Sequence, residues 1–503
     1  MTLVSDISMQ TLIFLATLFI FVVGLIALMV VIVFIRDISQ TKDAIRHNYP
    51  VIGRFRYLFS SLGEFFRQYF FAMDREEMPF NRAEREWVYK SASGHDNTLA
   101  FGSTKNLTPT GTPLFVNTSF PTLVEHTSKP PPVIIGPFCA HPYEPASLIN
   151  ISAMSYGALS KPAVRALSRG ARLAGCWLNT GEGGLAPYHL EGGCDLVFQI
   201  GTAKYGVRNP EGQLDVEKLR EIAALPQVRM FEIKLSQGAK PGKGGILPGA
   251  KVTTEIAQIR GIVPGMDSIS PNRHLEISNT GELLDFVQRV RDVTGKPTGF
   301  KLVLGEDEWL VQLCLEIHKR GIQNAPDFIT VDSCDGGTGA APMPLMDDVG
   351  LPIKESLPIV VDILTRYGLR DRIRVIASGK LITPSGVAWA LCSGADFVNS
   401  ARGFMFSLGC IQALRCNRNT CPTGITTHDR RLQKGLDPQE KAVKVKNFVD
   451  KIHYGTALIA HSCGVPHQRA LTRAHCRIVQ PDGKSVSMSR LYPKPEVLPE
   501  YRQ

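Results

Sequence analysis

Residues 373–400 read IRVIASGKLITPSGVAWALCSGADFVNS and contain the pattern that decides the fold. Ile373–Ala377 is a short apolar run rich in β-branched residues, which is typical of a buried strand. Pro384–Ser393 has a helical pattern, and Asp396–Ser400 is a second, mostly apolar strand. A strand, a helix and a further buried strand in succession indicate two parallel strands joined by a helical crossover.

The same alternation begins near residue 148 and recurs along the chain. The predicted strands are Leu148–Ala153, Cys176–Asn179, Leu196–Ile200, Met230–Leu235, Gly299–Leu304, Phe328–Val331, Ile373–Ala377 and Asp396–Ser400. The predicted helices between them are Lys161–Ala174, Asp215–Ala224, Val252–Gly261, Gly281–Thr294, Glu306–Arg320, Ser356–Tyr367 and Pro384–Ser393. This pattern predicts an α/β protein with a (β/α)8 TIM barrel. An open doubly wound sheet is the alternative, although no Gly-x-Gly-x-x-Gly opens a helix after the first strand.

Polar residues and glycines follow nearly every predicted strand, and a barrel forms its active site at these strand ends. The loops after the seventh and eighth strands, with Ser378-Gly379 and Ala401-Arg402, occupy the usual phosphate site of such barrels. They therefore predict a phosphorylated cofactor. Lys301 is expected to point into the barrel mouth, where a buried lysine needs an anionic partner. That partner is either the electron-rich edge of a reduced flavin or a carboxylate in a structural ion pair.

Three cysteines are concentrated in the segment 409–424, which reads GCIQALRCNRNTCPTG. Cys410, Cys416 and Cys421 are close enough in sequence for one helical turn and a tight loop to aim them at one point. Proline follows the third cysteine, as is common for cluster ligands. Three cysteines without a nearby fourth fit an iron–sulfur cluster that lacks one corner. A chance group of buried cysteines is the alternative, because free cysteine packs as a small hydrophobic residue.

An uncharged stretch, Thr11–Ile35, precedes all of these segments. As a helix it would span about 37 Å, enough to cross a hydrocarbon core of about 30 Å. A buried helix of a soluble protein and a cleaved signal peptide are the alternatives, and the length and the lack of a cleavage pattern disfavour both. Basic residues follow the stretch and none precedes it. This asymmetry predicts a single-pass membrane protein with its N-terminus outside and its catalytic part in the cytoplasm.

The composition indicates which partners and which cellular compartment to expect. The net charge is +10, but no Lys/Arg block interleaved with aromatic residues is present, so nucleic acid is not an expected partner. Eleven cysteines in 503 residues do not form a disulfide framework and fit a reducing compartment.

The regions outside the barrel differ in character. Arg56–Met73 is aromatic and amphipathic, and residues 79–130 are expected to form an ordered wrap of short elements. We predict a membrane helix at 1–36, a helical and irregular extension at 37–130, the barrel with its cysteine loop at 131–440, and a tail packing on the barrel at 441–503.

From about Ser152 to Thr427 the chain resembles the central and FMN-binding domains of glutamate synthase, most closely the short, stand-alone members of that family. The matching motifs, in order, are SAMSYGALS, NTGEGG, IKLSQGAKPGKGG followed by LPG, DGGTGA and C-x5-C-x4-C-P-x-G. The resemblance implies a barrel, one FMN, and one 3Fe-4S cluster bound by Cys410, Cys416 and Cys421. The strand-end residues expected to bind FMN are Ala153, Met154, Ser155, Lys301, Asp335, Gly336, Gly337, Ser378, Gly379, Ala401 and Arg402.

The resemblance also implies a substrate site. Gln237, Lys240 and Arg260 match positions that bind 2-oxoglutarate in the family, while Glu182 and Lys234 match polar residues of the same site and are the expected catalytic pair. Cationic side chains suit a dianion. Glu182 is expected to handle protons during imine formation, the alternative being that it caps the following loop.

The chain departs from the family in several places. The first 150 residues leave no room for a glutaminase domain, and the C-terminal β-helix domain is not found. Asn272–Glu276 replaces a Pro/His-rich stretch, and Ile246 replaces a polar residue.

From the resemblance we predict an oxidoreductase acting on CH–NH2 donors that converts 2-oxoglutarate and ammonia to glutamate through 2-iminoglutarate. It would need an electron donor protein or reductase subunit, and a separate glutaminase chain could supply the ammonia. The alternatives are an enzyme on another 2-oxo acid or amine, such as an N-methylglutamate synthase-like activity, and a membrane-tethered redox carrier.

Overall fold

The structure is a computed structural model that describes residues 2–40, 43–66, 70 and 73–502. The chain divides into two compact units, Met1–Ala83 and Glu84–Gln503. Part of the amphipathic stretch predicted at residues 56–73 lies outside the described residues. The four-part division predicted from the sequence stays a prediction.

Three helices form the first unit: Thr2–Ser39, Ala44–Asn48 and Gly53–Phe66. The first includes one helix segment, Met9–Ser39, that is long and apolar enough to cross a membrane; most of its apolar side chains are exposed, whereas Asp37 near its end is buried. At its end the Arg54 guanidinium donates to both carboxylate oxygens of Asp37, at 2.6 and 2.9 Å. This paired charge ties the third helix to the end of the apolar one.

The second unit contains a closed barrel of eight parallel strands, as predicted. The strands are Ile149–Ile151, Leu178–Asn179, Leu196–Ile200, Val228–Lys234, Thr298–Val303, Phe328–Asp332, Arg374–Ser378 and Phe397–Ser400. Each pairs with its neighbour in chain order, and the eighth closes on the first through Val398 and Ile149. All eight predicted strands are therefore present. Their bounds differ from the prediction by one or two residues at most ends, because backbone pairing with the neighbouring strands, and not the apolar pattern, sets where a strand begins and ends.

The helices around the barrel follow the predicted order. One helix, Arg82–Ala92, begins just before the boundary between the two units. The helices within the second unit are Lys161–Ala174, Pro187–Leu190, Val216–Ala224, Thr254–Arg260, Thr280–Thr294, Glu308–Arg320, Met343–Asp348, Ile353–Arg366, Pro384–Ser393, Arg402–Ser407, Arg430–Gln433, Pro438–Ser462 and Met488–Leu491. Asp215 and Ser160 act as N-caps through side-chain oxygens, which explains where those two helices begin. Between the fourth and fifth strands an insertion adds a two-stranded hairpin, Ile246–Leu247 with Ser268–Ile269.

The helix Pro438–Ser462 packs against Lys161–Ala174 beside the first strand. The two helices approach closely at Gly170, where a Cβ atom would lie 2.5 Å from Cβ of Val445. The tail also contributes strands Cys476–Val479 and Ser485–Ser487, which form a small antiparallel sheet with Pro113–Phe115 of the wrap region. Tail and wrap therefore fold together with the barrel rather than apart from it.

The N-terminal end of the barrel is filled with apolar side chains. The cluster consists of Ile135, Tyr143, Trp177, Val197, Met230, Phe328, Ile376 and Phe397, all buried. Ile135 and Tyr143 pair across a bridge that places the segment 135–143 under the strands. This end is a packed core, whereas the buried polar side chains described next lie at the carboxyl ends of the strands, where a barrel binds its ligands.

Candidate active site

A cavity opens at the carboxyl ends of the strands. Its lining residues are Ser152, Ala153, Gln237, Lys301, Asp332, Gly337, Ser378, Gly379, Lys380, Ile382, Ser400, Ala401 and Arg402. Seven of the eleven residues predicted to bind FMN are in this set: Ala153, Lys301, Gly337, Ser378, Gly379, Ala401 and Arg402.

Met154, Ser155, Asp335 and Gly336 do not line the cavity. Asp335 instead lies at its rim, where the carboxylate forms an ion pair of 2.7 Å with Lys380 and accepts a hydrogen bond from the Ser333 hydroxyl. Arg402 donates to the carbonyl of Asp335 at 3.1 Å. Asp335 therefore positions two of the three cations that line the cavity, Lys380 and Arg402.

Lys301 is buried at the floor of the cavity and pairs with Asp332 at 2.9 Å. Burial alone would lower the pKa of Lys301, but the attraction of Asp332 outweighs it and the pKa is raised, so the side chain is cationic. Of the two partners considered from the sequence, the structure contains the carboxylate. Asp332 was missed because the predicted strand ended one residue before it.

Two further features lie at the wall of the cavity. The buried hydroxyl oxygen of Ser400 has no hydrogen-bond partner among the described residues, although Ser400 lines the cavity. Gly379 has a φ of 130°, and a side chain there would overlap Cβ of Ser333. Glycine is therefore needed where the end of the seventh strand packs against the residue that follows the sixth.

Beside this cavity lies a second group of buried charges, which includes the expected catalytic pair. Lys234 Nζ, at the end of the fourth strand, is 2.7 Å from Glu182 Oε1. Burial raises the pKa of Glu182, but the attraction of Lys234 more than offsets it, and the pKa is below its usual value. Glu182 is thus ionised at neutral pH and does not cap its own loop. A Cβ atom at Gly245 would overlap Glu182 Oε1, so any other residue there would displace the carboxylate from its present position.

Lys240 and Arg260 lie within electrostatic reach of Glu182 but form no ion pair with any described carboxylate. Both are buried, at 4% and 5% exposure. Arg260 donates weakly to the carbonyl of Tyr156 at 3.3 Å, its Nε has no partner, and its guanidinium faces the ring of Tyr205. Burial, with repulsion from Lys234, lowers the pKa of Lys240 to about 8.

Gln237, the remaining predicted substrate residue, lies between the two regions. It lines the cavity, and its Nε2 is 3.2 Å from the hydroxyl of Thr338. The structure therefore brings Glu182, Lys234, Lys240 and Arg260 into one cluster and places Gln237 at the mouth of the adjoining cavity.

The segment 272–276, which departs from the resembled family, contributes two buried groups beside this cluster. His274 Nε2 is 3.0 Å from the carbonyl of Lys234, while Nδ1 is buried without a partner. Glu276 pairs at 3.0 Å with Lys204, which is 1% exposed. Nothing in the sequence indicated the role of Lys204, because this lysine lies in the loop after the third strand, outside every recognised motif.

The loop with the three cysteines lies against the loop after the first strand. Each thiol of Cys410, Cys416 and Cys421 is within electrostatic reach of the other two. No group of three His, Cys, Asp or Glu side chains among the described residues is arranged to hold a single metal ion. A cluster differs in this respect, because each of its cysteines binds a different iron. Burial raises the pKa of Cys410 to about 12.

An eight-stranded barrel with a polar cavity at its strand ends, cationic residues after strands seven and eight, and an adjoining buried cation cluster defines an enzyme that binds anionic ligands. Comparison with known proteins identifies the family. The family model described as the conserved region in glutamate synthase matches residues 115–480. The chain belongs to the glutamate synthase family, a family of oxidoreductases.

The relatives differ in how much of their length the chain covers. The Bacillus subtilis protein named glutamate synthase large subunit-like protein YerD is 41% identical over 94% of this chain and 97% of its own length. The archaeal-type glutamate synthase (NADPH) of Thermotoga maritima is 33% identical over 60% of this chain. The archaeal glutamate synthase (NADPH) of Methanocaldococcus jannaschii is 35% identical over 60% of it. The chain spans 56% of each of these two archaeal-type proteins.

Proposed function

We propose that this protein carries out the synthase reaction of its family, the reductive amination of 2-oxoglutarate by ammonia to L-glutamate through 2-iminoglutarate. The observation that carries the proposal is the pair of buried cations Lys240 and Arg260, which have no carboxylate partner among the described residues. They lie beside the Lys234–Glu182 ion pair.

The charges of the cluster suit a dicarboxylate. The charge of Lys234 is balanced by Glu182, and that of Lys204 by Glu276. Lys240 and Arg260 therefore leave about two positive charges in excess, and burying unpaired cations is costly unless a ligand brings the opposite charge. A dianion neutralises both, and Arg260 can bind one carboxylate through its free Nε–H and a second N–H.

The acid–base groups follow from the same geometry. Ammonia adds to the C2 carbonyl carbon, and water must leave before the imine is reduced. Lys240, whose pKa is about 8, can donate the proton that the departing oxygen needs near neutral pH. Glu182, held ionised by Lys234, can accept a proton from the attacking nitrogen. The two roles require groups of opposite protonation state, which is what the cluster provides.

The cavity beside this cluster fits FMN. Arg402 and Lys380 would hold the phosphate after strands seven and eight, and Ser400 Oγ is a free hydrogen-bonding group on the wall. When bound, FMN supplies hydride transfer to a carbon such as that of an imine. Lys301, fixed by Asp332, would place a positive charge against the ring system, and Gln237 lies where the ring and the substrate would meet.

The three cysteines fit an iron–sulfur cluster of the 3Fe-4S type, because they lie on one loop within electrostatic reach of one another. Cys410, Cys416 and Cys421 would be its ligands. Such a cluster supplies one-electron transfer, which links a two-electron flavin to a one-electron donor. The donor is a separate protein or reductase subunit, and the ammonia comes from solution or from a separate glutaminase chain.

The apolar helix Met9–Ser39 supports anchoring to a membrane. With basic residues only on its C-terminal side, the second unit would face the cytoplasm and the N-terminus would lie outside. The four-part division at residues 36, 130 and 440 belongs to the same proposal.

A second candidate is an enzyme of the same chemistry on a different amine or 2-oxo acid, such as an N-methylglutamate synthase-like activity. The segment 272–276 favours it, because His274 contacts the carbonyl of the pocket residue Lys234 and carries an unpartnered Nδ1. A simple redox carrier is disfavoured, since a carrier has no use for a buried cation cluster.

The deciding experiment uses anaerobically purified full-length protein whose flavin has been chemically reduced. Adding 2-oxoglutarate and ammonium should reoxidise the flavin, followed by absorbance, with one glutamate formed per flavin. Replacing ammonium by methylammonium tests the second candidate on the same sample. Normal flavin content without reoxidation by any 2-oxo acid and amine pair would refute the synthase proposal and leave the carrier.

A further inference from the structure

Lys251 is a buried lysine to which the reaction proposed above gives no role. It is 2% exposed and lies in the insertion between the fourth and fifth strands. Its Nζ donates to the carbonyl of Ala158 at 2.7 Å and to the carbonyl of Cys416 at 3.3 Å. The side chain therefore joins the loop after the first barrel strand to the cysteine loop.

Lys251 has no carboxylate partner among the described residues. The buried lysines Lys204, Lys234 and Lys301 each have a carboxylate oxygen within 3.0 Å. Two carbonyl oxygens offset only part of the cost of burying an ammonium group. Lys251 is within electrostatic reach of Cys416 and Cys421, which attract its charge, and of Arg260, which repels it. Neutral thiols would not balance a cation, whereas the thiolates of a bound cluster would.

We propose that Lys251 supplies the positive charge that balances the thiolates of Cys416 and Cys421, and that this charge raises the reduction potential of the iron–sulfur cluster they hold. The inference rests on the proposed function, because it takes the cluster as bound. Lys251 is a positioning residue in this account, since it contacts the ligand loop and not the reacting atoms.

The expected direction of the effect follows from Coulomb's law. Reduction adds one electron to the cluster, and the added negative charge is stabilised by a nearby cation more strongly in a buried site than in water. Net charge and hydrogen bonds around a cluster are the features by which a protein sets its potential. Removing the charge at residue 251 should therefore make the cluster harder to reduce.

The test compares four variants of the full-length protein with the wild type. Lys251→Met removes the charge and the hydrogen bonds, Lys251→Gln keeps a donor for the carbonyl of Ala158 but removes the charge, and Lys251→Arg keeps both. Lys319→Met is the matched control, because it removes one exposed lysine charge from the surface. For each protein, iron, acid-labile sulfide and FMN are assayed, and the midpoint potential is measured by an EPR-monitored redox titration.

Lys251→Arg and Lys319→Met should keep the wild-type potential, while Lys251→Gln and Lys251→Met should shift it to a more negative value with FMN content unchanged. Loss of iron in Lys251→Gln, with FMN and fold retained and with iron retained in Lys251→Arg, also supports the inference. A Lys251→Gln variant with full iron and sulfide content and the wild-type midpoint potential would overturn the inference. So would a Lys251→Arg variant whose midpoint potential shifts as far as that of Lys251→Gln.

The two proposals fail in different ways. A wild-type protein without iron would refute the cluster together with the role of Lys251. A wild-type protein that contains the cluster but forms no glutamate would refute the synthase reaction, and the potentials of the variants would still decide the role of Lys251.

Discussion

Arg260 is the residue on which we expect substrate binding to depend most, because its guanidinium is buried and its Nε has no partner. Arg260→Met should raise the KM for 2-oxoglutarate by roughly 10- to 100-fold, since a hydrogen bond to a charged group contributes about 1.5–3 kcal/mol. Steady-state kinetics at saturating ammonium would measure this, with Arg220→Met as the control for an exposed arginine. An unchanged KM would show that the anion binds elsewhere.

Glu182 should affect the rate without weakening binding. Glu182→Gln removes the one carboxylate paired with Lys234, so the pocket becomes more cationic and should bind the dianion at least as tightly. The expected loss is in kcat, by roughly 10²–10⁴ for a missing proton-transfer group. Equilibrium binding of 2-oxoglutarate to the oxidised enzyme and single-turnover reoxidation separate the two effects. Weaker binding by the variant would contradict the charge argument.

Lys240 should make the kcat/KM for 2-oxoglutarate depend on pH. Its pKa in the folded protein is about 8, below the ordinary value of 10.5, so the side chain is cationic below that pH and neutral above it. The kcat/KM for 2-oxoglutarate reports groups of the free enzyme, and it should fall as the pH rises through about 8. In Lys240→Arg the fall should move to higher pH, because an arginine stays protonated. An identical profile in both proteins would exclude Lys240 as the group responsible.

At the scale of elements, the contact between helices Lys161–Ala174 and Pro438–Ser462 depends on Gly170. Gly170→Ala should lower the free energy of unfolding by about 1–3 kcal/mol, the usual cost of overpacking, although alanine favours a helix. The reason is that the new Cβ would lie 2.5 Å from Cβ of Val445, which cannot rotate away. The control is Gly435→Ala, where the nearest atom is 4.0 Å away. Thermal unfolding in detergent would show the difference, and equal Tm values would contradict it.

The elements of the barrel could be predicted because each leaves a local pattern. Leu196–Ile200 is apolar throughout and flanked by turn residues, so its bounds were predicted to the residue. The strand Leu178–Asn179 was predicted two residues too long at its start. The insertion hairpin was not predicted, because its two-residue strands leave almost no pattern and their pairing joins residues about twenty positions apart. The glycine-rich strand ends could likewise be assigned to a ligand site before the structure was known.

The partners of buried charges could not be predicted. Lys301 was expected to meet an anion, but only the structure shows that Asp332 on the next strand provides it. The pairing of Lys204 with Glu276 and the contact of Lys251 with the cysteine loop join segments separated by long insertions. Such contacts depend on tertiary packing and have no periodicity in the sequence.

At the scale of the whole molecule, the apolar helix predicts firm attachment to a bilayer. The full-length protein should stay in the membrane pellet after carbonate extraction. A pair of substitutions, Val22→Arg and Ile26→Arg, should release it, because each charge near the helix centre costs about 2.5–3.5 kcal/mol on insertion. Protease should digest the C-terminal unit in inside-out vesicles but not in intact cells. Complete release of the wild type by carbonate would contradict the anchor.

The order in which the chain is synthesised gives the closed barrel a further consequence. The first strand pairs with the eighth, and the helix Lys161–Ala174 is covered by Pro438–Ser462, near the other end of the chain. During translation, the early half-barrel must therefore wait with an unpaired strand edge and an uncovered apolar helix face until the last segments leave the ribosome. Exposed surfaces of this kind are prone to aggregation in nascent proteins. The chain should consequently depend on chaperones, or on slow elongation, more than its compact final form suggests.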